Sequence, residues 1–262
     1  GSIAASWFFG LQAAGVSTVG LIPQGLPSLT WPDLSLVEAL APGWDRHDLS
    51  VNIAYPNGRV LSVRASGEAH ATAGPDGLPT VFGAGPLQFR CVEPFRRWDV
   101  SFNGVAEEMT TQAQMAGALP GKGPLIDVEF HLETTMAVPP WIQGTMSTDA
   151  AALLKSGVEG ELMGGARFEQ LFRTNGRLRV GSQVHEFSGS GLRIRRQGVR
   201  NIQEFWGHCW QSALFPSGRA FGYNAYPPRE DGKPTYNEGY IFDGDGELIP
   251  ARVVQAPWLA KL

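Results

Sequence analysis

Residues 49–65 read LSVNIAYPNGRVLSVRA, and this stretch decides the fold class. Leu49, Val51, Ile53 and Tyr55 alternate with small or polar residues, Asn57-Gly58 supplies the positive-φ pair favoured by a two-residue hairpin turn, and Val60 to Val63 return. Such period-two patterning buries one face of an antiparallel strand and leaves the other to water. The rhythm recurs. Asn175-Gly176 within FEQLFRTNGRLRVGSQV (168–184) predicts a second hairpin of the same kind, Phe215 to Phe221 (FPSGRAF) a third tight turn, and Asp243 to Gly246 a fourth. Phe89–Val92 and Trp98–Phe102 read as strands broken at Pro94, and Trp7–Ile22 as a further hairpin. Pro23–Pro32 and residues 73–86 read as connections, and Ser35–Leu40 as at most a helical turn.

Composition agrees with many short strands: 33 Gly and 19 Pro are spread through 262 residues instead of being gathered in one linker. Residues 148–166 interrupt the β pattern. Asp149 is expected to cap a short helix through Lys155, and the Gly-rich remainder to separate two β-rich halves. The expected domains are therefore 1–147 and 167–262 with 148–166 between them. The halves share a faint repeat of strand, Asn-Gly turn, return strand and aromatic-basic segment (FRRWD at 95–99, LRIRR at 192–196), which predicts two all-β barrels or sandwiches in tandem.

Charge and cysteine content exclude several function classes. A net charge of −4 with only 18% charged residues offers no basic surface to nucleic acid or an acidic membrane. The apolar run 7–22 is too short and too glycine-rich to span a bilayer. No charged segment precedes an apolar core as a secretory signal requires, so a cytoplasmic location is expected. Cys91 and Cys209 match no metal-ligand spacing. No metal is expected, nor any cofactor, since no phosphate-binding loop and no nucleophile elbow occur.

The side chains that carry chemistry concentrate late in the chain. If FWGHCWQ (205–211) is a strand, Trp206, His208 and Trp210 share one face, placing one imidazole between two indoles, with Gln211 on the other face. That is also what a core strand with one satisfied histidine looks like. YNEGYIF (236–242) puts Tyr236, Glu238, Tyr240 and Phe242 on one face, an aromatic wall holding one carboxylate. DVEFHLETTM (127–136) alternates most cleanly. Asp127, Glu129, His131 and Glu133 form either the wet face of a half-buried strand or a carboxylate–imidazole row able to move protons. The arginines at 193, 195, 196 and 200 are either a solvated face or, through Arg193 and Arg195, a fork for a substrate carboxylate or carbonyl.

The segments FRRWDVSFNG (95–104), FEQLFRTNGRLRVGSQVHEFSGSGLR (168–193) and FWGHCWQSALFPSGRAFGY (205–223) resemble the AttH-like proteins that include bacterial carotenoid hydratases. The resemblance implies two lipocalin-like antiparallel β-barrels in tandem that hold isoprenoid or polyketide-like ligands. In some members water is added across a double bond. One departure matters: Ile194-Arg195-Arg196-Gln197 stands where many relatives carry an Asp-His-Ser-Trp run, so acid chemistry located there does not carry over.

Two functions follow as expectations. One is a cofactor-free enzyme that hydrates, isomerises or cyclises a bulky hydrophobic molecule. His208 or Glu238 would handle the proton, with Glu129 and His131 in reserve. Trp206, Trp210, Tyr236 and Tyr240 would stack on the substrate, beside Gln211, Arg193 and Arg195. His208 is expected to be a usable acid, its pKa raised by Glu238. The other is a carrier that binds the same kind of molecule without chemistry.

Overall fold

A computed structural model describes residues 10–13, 46–68, 81–155, 167–196 and 206–256. The expected helical turn at Ser35–Leu40 and most of the hairpin over Trp7–Ile22 lie outside the described residues. Among the described residues strand predominates in antiparallel sheets, and helix is confined to two short segments. The all-β class therefore holds, and among the described residues no sheet closes into a barrel.

Strands β2 (Arg46–Ala54) and β3 (Arg59–Glu68) form the hairpin expected from residues 49–65, with Leu49 opposite Ala65 and Ala54 opposite Val60. Its loop is one residue longer than the Asn-Gly pair suggests. The Gly58 amide donates to the Tyr55 carbonyl at 3.0 Å, the Tyr55 amide donates to the Arg59 carbonyl at 2.8 Å, and Gly58 takes φ +83°. Pro56 presets the first corner and Gly58 supplies the left-handed residue of a three-residue loop. Strands β11 (Cys209–Leu214) and β12 (Ala220–Ala225) are joined in the same way. The Gly218 amide donates to Phe215 O at 3.0 Å, the Phe215 amide to Arg219 O at 2.9 Å, and Gly218 sits at φ +88°. Tyr-Pro-Asn-Gly-Arg at 55–59 and Phe-Pro-Ser-Gly-Arg at 215–219 are thus one turn written twice.

The expected Asn175-Gly176 hairpin does not form. Strand β9 runs unbroken from Arg167 to Val180, and the chain reverses at Gly181 (φ +56°) into β10 (Gln183–Arg196). Gly176 serves packing instead: a Cβ there would stand 2.6 Å from Cζ of Phe187 and 2.7 Å from Cδ2 of Leu132. Glycine answers two needs, positive φ and close approach, and here the second governs.

The remaining elements are β1 (Gly10–Ala13), β4 (Val81–Ala84), β5 (Leu87–Glu93), β6 (Arg97–Thr110), α1 (Thr111–Met115), β7 (Leu125–Met136), β8 (Trp141–Ile142), α2 (Thr148–Lys155), β13 (Asn237–Phe242) and β14 (Ile249–Ala251). The connection read across 73–86 therefore ends in a strand, β4, paired to β5. The break at Pro94 is present as a turn in which Phe95, buried, takes φ +57°. Helix α2 is present as expected, but its first turn is capped by Ser147, whose Oγ accepts from the Ala150 amide at 3.3 Å. Asp149 lies inside the first turn, where its charge suits the helix dipole.

The chain divides into two compact units, Trp31–Thr135 with Arg173–Gly191 and Met136–Phe172 with Leu192–Leu262, besides the first thirty residues. Of the segment expected to link two halves, 148–166, the described part is helix α2, which belongs to the second unit. The larger sheet has the order β1-β2-β3-β6-β7-β9-β10, with β4-β5 off β6 and β8 off β9. The first unit's core gathers Leu49, Ile53, Leu61, Phe102, Phe130 and Leu178, with the Phe102 and Phe130 rings stacked at 5.5 Å. A separate four-stranded sheet, β11-β12-β13-β14, belongs to the second unit, whose core includes Trp141, Leu171, Tyr240 and Phe242.

Candidate functional site

The second unit's sheet places the site. Its register sets Trp210 opposite Asn224 and Asn224 opposite Glu238, and directly opposed residues share a face. Trp210, Asn224 and Glu238 thus form a row across β11, β12 and β13, flanked along β13 by Tyr240 and Phe242. Glu238, Tyr240 and Phe242 share a face as their spacing predicts. Gly222 allows the Tyr240 ring to lie flat across β12, since a Cβ there would stand 2.6 Å from Cε1 of that ring.

Glu238 is fully buried and its carboxylate is held on three sides. Oε2 accepts from the Gly144 amide at 2.7 Å and from the Tyr236 hydroxyl, and Oε1 accepts from the Met146 amide at 2.7 Å. Two backbone amides and one phenol thus converge on the two carboxylate oxygens. Burial first, then the Glu238 charge, pushes the Tyr236 phenol far above its ordinary range. The pair is therefore a phenol donating to a carboxylate.

His208 and the two indoles are not arranged as one strand face. Strand β11 starts at Cys209, and Gly207 at φ +112° turns the chain just before it. The His208 ring nevertheless stacks on Trp210 (centroids 6.3 Å apart, planes at 25°) and meets Tyr226 edge-on at 6.4 Å. Trp206 packs against Tyr226 at 5.3 Å, donates from Nε1 to the Pro227 carbonyl at 3.0 Å, and carries the Arg229 guanidinium over its ring. His208 itself is exposed, and a loop, not strand alternation, brings its ring beside Trp210 and Tyr226.

Arg167 and Glu169 both bear on Trp210, the ring on which His208 stacks. Arg167 and Glu169, at the start of β9, form an ion pair with side chains only 7% and 1% exposed. Glu169 Oε2 accepts from Trp210 Nε1 at 3.2 Å, and the Arg167 guanidinium lies 5.4 Å from the centre of the Trp210 ring. Burial first, and then the Arg167 charge, hold the His208 pKa below its ordinary value. The expectation that Glu238 raises it is thus reversed: His208 is the neutral base form at pH 7. Neither Arg167 nor Glu169 stood out in the sequence, although Arg167-Phe168-Glu169 on an alternating strand puts both charges on one face.

The other expected site residues are dispersed. Tyr236 and Tyr240 are buried, and burial, followed for Tyr240 by the Glu169 charge, raises both phenols. Gln211 is exposed on the opposite sheet face, across from Tyr223. Arg193 lies over the Phe168 ring at 4.9 Å. Arg195 belongs to β10, with its side chain outside the description. Glu129 and His131 lie in the first unit on the wet face of β7, whose Val128, Phe130 and Leu132 are buried. There Glu129 pairs with Arg179 at 2.9 Å, and His131 stands 3.9 Å from Glu133, both exposed to water. The half-buried-strand reading of residues 127–136 is the one observed.

The far face of the four-stranded sheet carries an open groove of about 650 Å³ whose lining includes Phe215, Phe221, Tyr223 and Ile241. Phe221 and Tyr223 stack at 6.2 Å, and burial with the Cys209 thiol hydrogen bond pushes Tyr223 up to about 12. Among the described residues no group of three His, Cys, Asp or Glu side chains is disposed to hold a metal ion, and no helix is long and apolar enough to cross a membrane.

No curated protein and no solved structure matches the chain. A family model, described as a domain of unknown function (DUF7064), matches residues 39–258. That span takes in every described strand except β1, both of the repeated turns and the whole Trp210–Asn224–Glu238 row, and the chain belongs to this family.

Proposed function

We propose that the chain is a cofactor-free enzyme that hydrates, isomerises or cyclises a bulky hydrophobic molecule of isoprenoid or polyketide-like character, in keeping with its resemblance to AttH-like proteins with tandem lipocalin-like domains. The observation that carries this reading is the row Trp210–Asn224–Glu238 across three strands, with the Tyr236–Glu238 pair at one end and the His208 ring stacked on Trp210 at the other. His208 carries the proton in both directions: as imidazolium it gives it to the alkene carbon, and as the neutral base, the form that its lowered pKa favours, it takes one from the substrate or the attacking water. The ionised Glu238 and the π faces of Trp210 and Tyr226 stabilise positive charge developing on the carbon skeleton. A buried ion pair such as Arg167–Glu169 is poor value for stability alone, and its placement against Trp210 supports a functional role.

The test is incubation with a panel of polyenes and terpenoid alkenes in ¹⁸O-labelled water and, separately, in deuterium oxide, with products read by mass spectrometry. Labelled hydroxyl in a product marks hydration, and carbon-bound deuterium without oxygen marks isomerisation or cyclisation. Absence of any product for molecules that bind would overturn the enzyme reading. The second reading, a non-catalytic carrier, is favoured by the groove beside Phe215, Phe221 and Tyr223, which holds no acid–base pair on its floor. Extraction of an unchanged lipophile from the purified protein would support it.

A further inference from the structure

The open groove on the far face of the four-stranded sheet takes no part in the acid–base row, and its lining has a chemistry of its own. The register sets Ala213 opposite Phe221, Phe221 opposite Ile241 and Ile241 opposite Ile249, an apolar row that crosses all four strands. Ile241 and Ile249 stand exposed, as does Phe215 beside them. A contiguous apolar row that is open to water and rimmed by polar residues marks a binding surface. The next row runs from Tyr223 to Gly239 to Ala251, so the face dips where Gly239 lacks a side chain. Along the groove the rings of Phe215, Phe221 and Tyr223 make a ladder with 6.2 Å between centroids at each step. Its volume of about 650 Å³ lies within the range of small-molecule pockets, roughly 300–1,000 Å³.

Charge then narrows the ligand. Among the described residues the lining holds two arginines and no carboxylate. Arg219, just before β12, is paired with Asp243 at 3.1 Å. Arg252, next to Ala251 at the end of β14, takes part in no ion pair and no hydrogen bond among the described residues. The Tyr223 hydroxyl is bonded to the Cys209 thiol and keeps its proton at neutral pH, so the floor adds no negative charge. A neutral lipophile leaves the Arg252 charge unmatched, a cation meets only like charge, and a carboxylate fits the planar fork of a guanidinium. A ladder of rings favours a ring over an alkyl chain, because aromatic pairs contribute beyond the area they bury.

We infer that this groove is a binding site for an aromatic carboxylate, whose ring system lies along Phe215, Phe221 and Tyr223 and whose carboxylate meets Arg252. The assignment rests on the carrier reading above and gives its ligand a chemical class; the acid–base reading stands or falls without it.

Calorimetric titrations with 2-naphthoate, 2-naphthamide and decahydro-2-naphthoate separate the charge from the ring. The wild-type protein is expected to bind 2-naphthoate about tenfold more tightly than the amide and several-fold more tightly than the saturated acid. Arg252→Gln is expected to bind acid and amide alike. Ile241→Glu, which sets a carboxylate in the groove at an exposed position, is expected to weaken 2-naphthoate by roughly tenfold. Both variants should keep the wild-type melting temperature, since both positions are exposed. Equal wild-type affinity for acid and amide would overturn the anionic assignment while leaving a carrier of neutral lipophiles in place. Equal affinity for the aromatic and the saturated acid would overturn the role of the ring ladder. Binding of 2-naphthoate that Ile241→Glu leaves untouched would place the ligand elsewhere and overturn the site. Failure to bind all three probes removes the assignment, and the extraction experiment still decides the carrier reading by itself.

Discussion

The ring of Phe187 occupies the space in which a side chain at residue 176 would stand, so that the two strands β9 and β10 approach only because Gly176 has none. A methyl group there meets both Phe187 and Leu132 at under 3 Å. Gly176→Ala should destabilise by about 1–3 kcal/mol through overpacking, and Phe187→Leu in the same chain should restore part of that loss. Gly58→Ala meets nothing within 4 Å but must hold φ +83°, so its cost, about 1–2 kcal/mol, is one of backbone strain. No second substitution should rescue it. Urea melts of the three variants read both predictions.

Removing one member of the Arg167–Glu169 pair leaves the other charged and buried. Arg167→Met is expected to cost about 3–5 kcal/mol, and adding Glu169→Leu should recover most of it, because a buried pair can be replaced by apolar volume more cheaply than it can be halved. A double-mutant cycle by chemical denaturation measures the coupling. Simple additivity of the two losses would show that the charges act separately.

The depressed pKa of His208 has a defined signature in stability. In the unfolded chain the imidazole titrates near its ordinary 6.5, and in the folded protein it titrates lower. Between those two values the unfolded chain binds more protons, so stability rises with pH through the window and is lost as pH falls below about 6.5. His208→Gln should flatten this part of the profile, leaving the two proteins alike above neutrality. Melting temperatures measured across the window, wild type against variant, give the comparison. An NMR titration of the His208 ring protons reads the pKa itself.

Turnover offers a further check once a substrate is in hand. His208→Ala should lower the rate by about a hundred- to ten-thousand-fold while leaving binding within about tenfold, as expected for loss of a proton-transfer group. Glu238→Gln presents an NH₂ where one of three donors now points, and should cost about 2–3 kcal/mol of stability besides the activity. Arg193→Lys, by contrast, should leave turnover unchanged, since that guanidinium stacks on Phe168.

The parts of this fold that were legible in the sequence are those where one strand face meets water. Strand β7 is read directly because buried Val128, Phe130 and Leu132 alternate with half-buried Glu129 and exposed His131 and Glu133. The first five residues of β9, Arg167 to Leu171, are all buried, so alternation vanishes and the charged Arg167 and Glu169 pass for surface residues. Their pairing depends on Trp210, some forty residues later. Tyr236, Glu238 and Tyr240 were found because β13 alternates. The true neighbours of Glu238, the amides of Gly144 and Met146, carry no side-chain signal at all.

The clasp of Glu238 on those two backbone amides makes the 142–147 segment a spectator of charge at the centre of the sheet. Any event that neutralises the carboxylate, whether a proton or the arrival of a cation beside it, releases Gly144 and Met146 just ahead of helix α2. By reciprocity, whatever frays that segment must also loosen the hold on the carboxylate. The exchange rates of two amide hydrogens are therefore a gauge of the site that can be read without a substrate, a product or an assay.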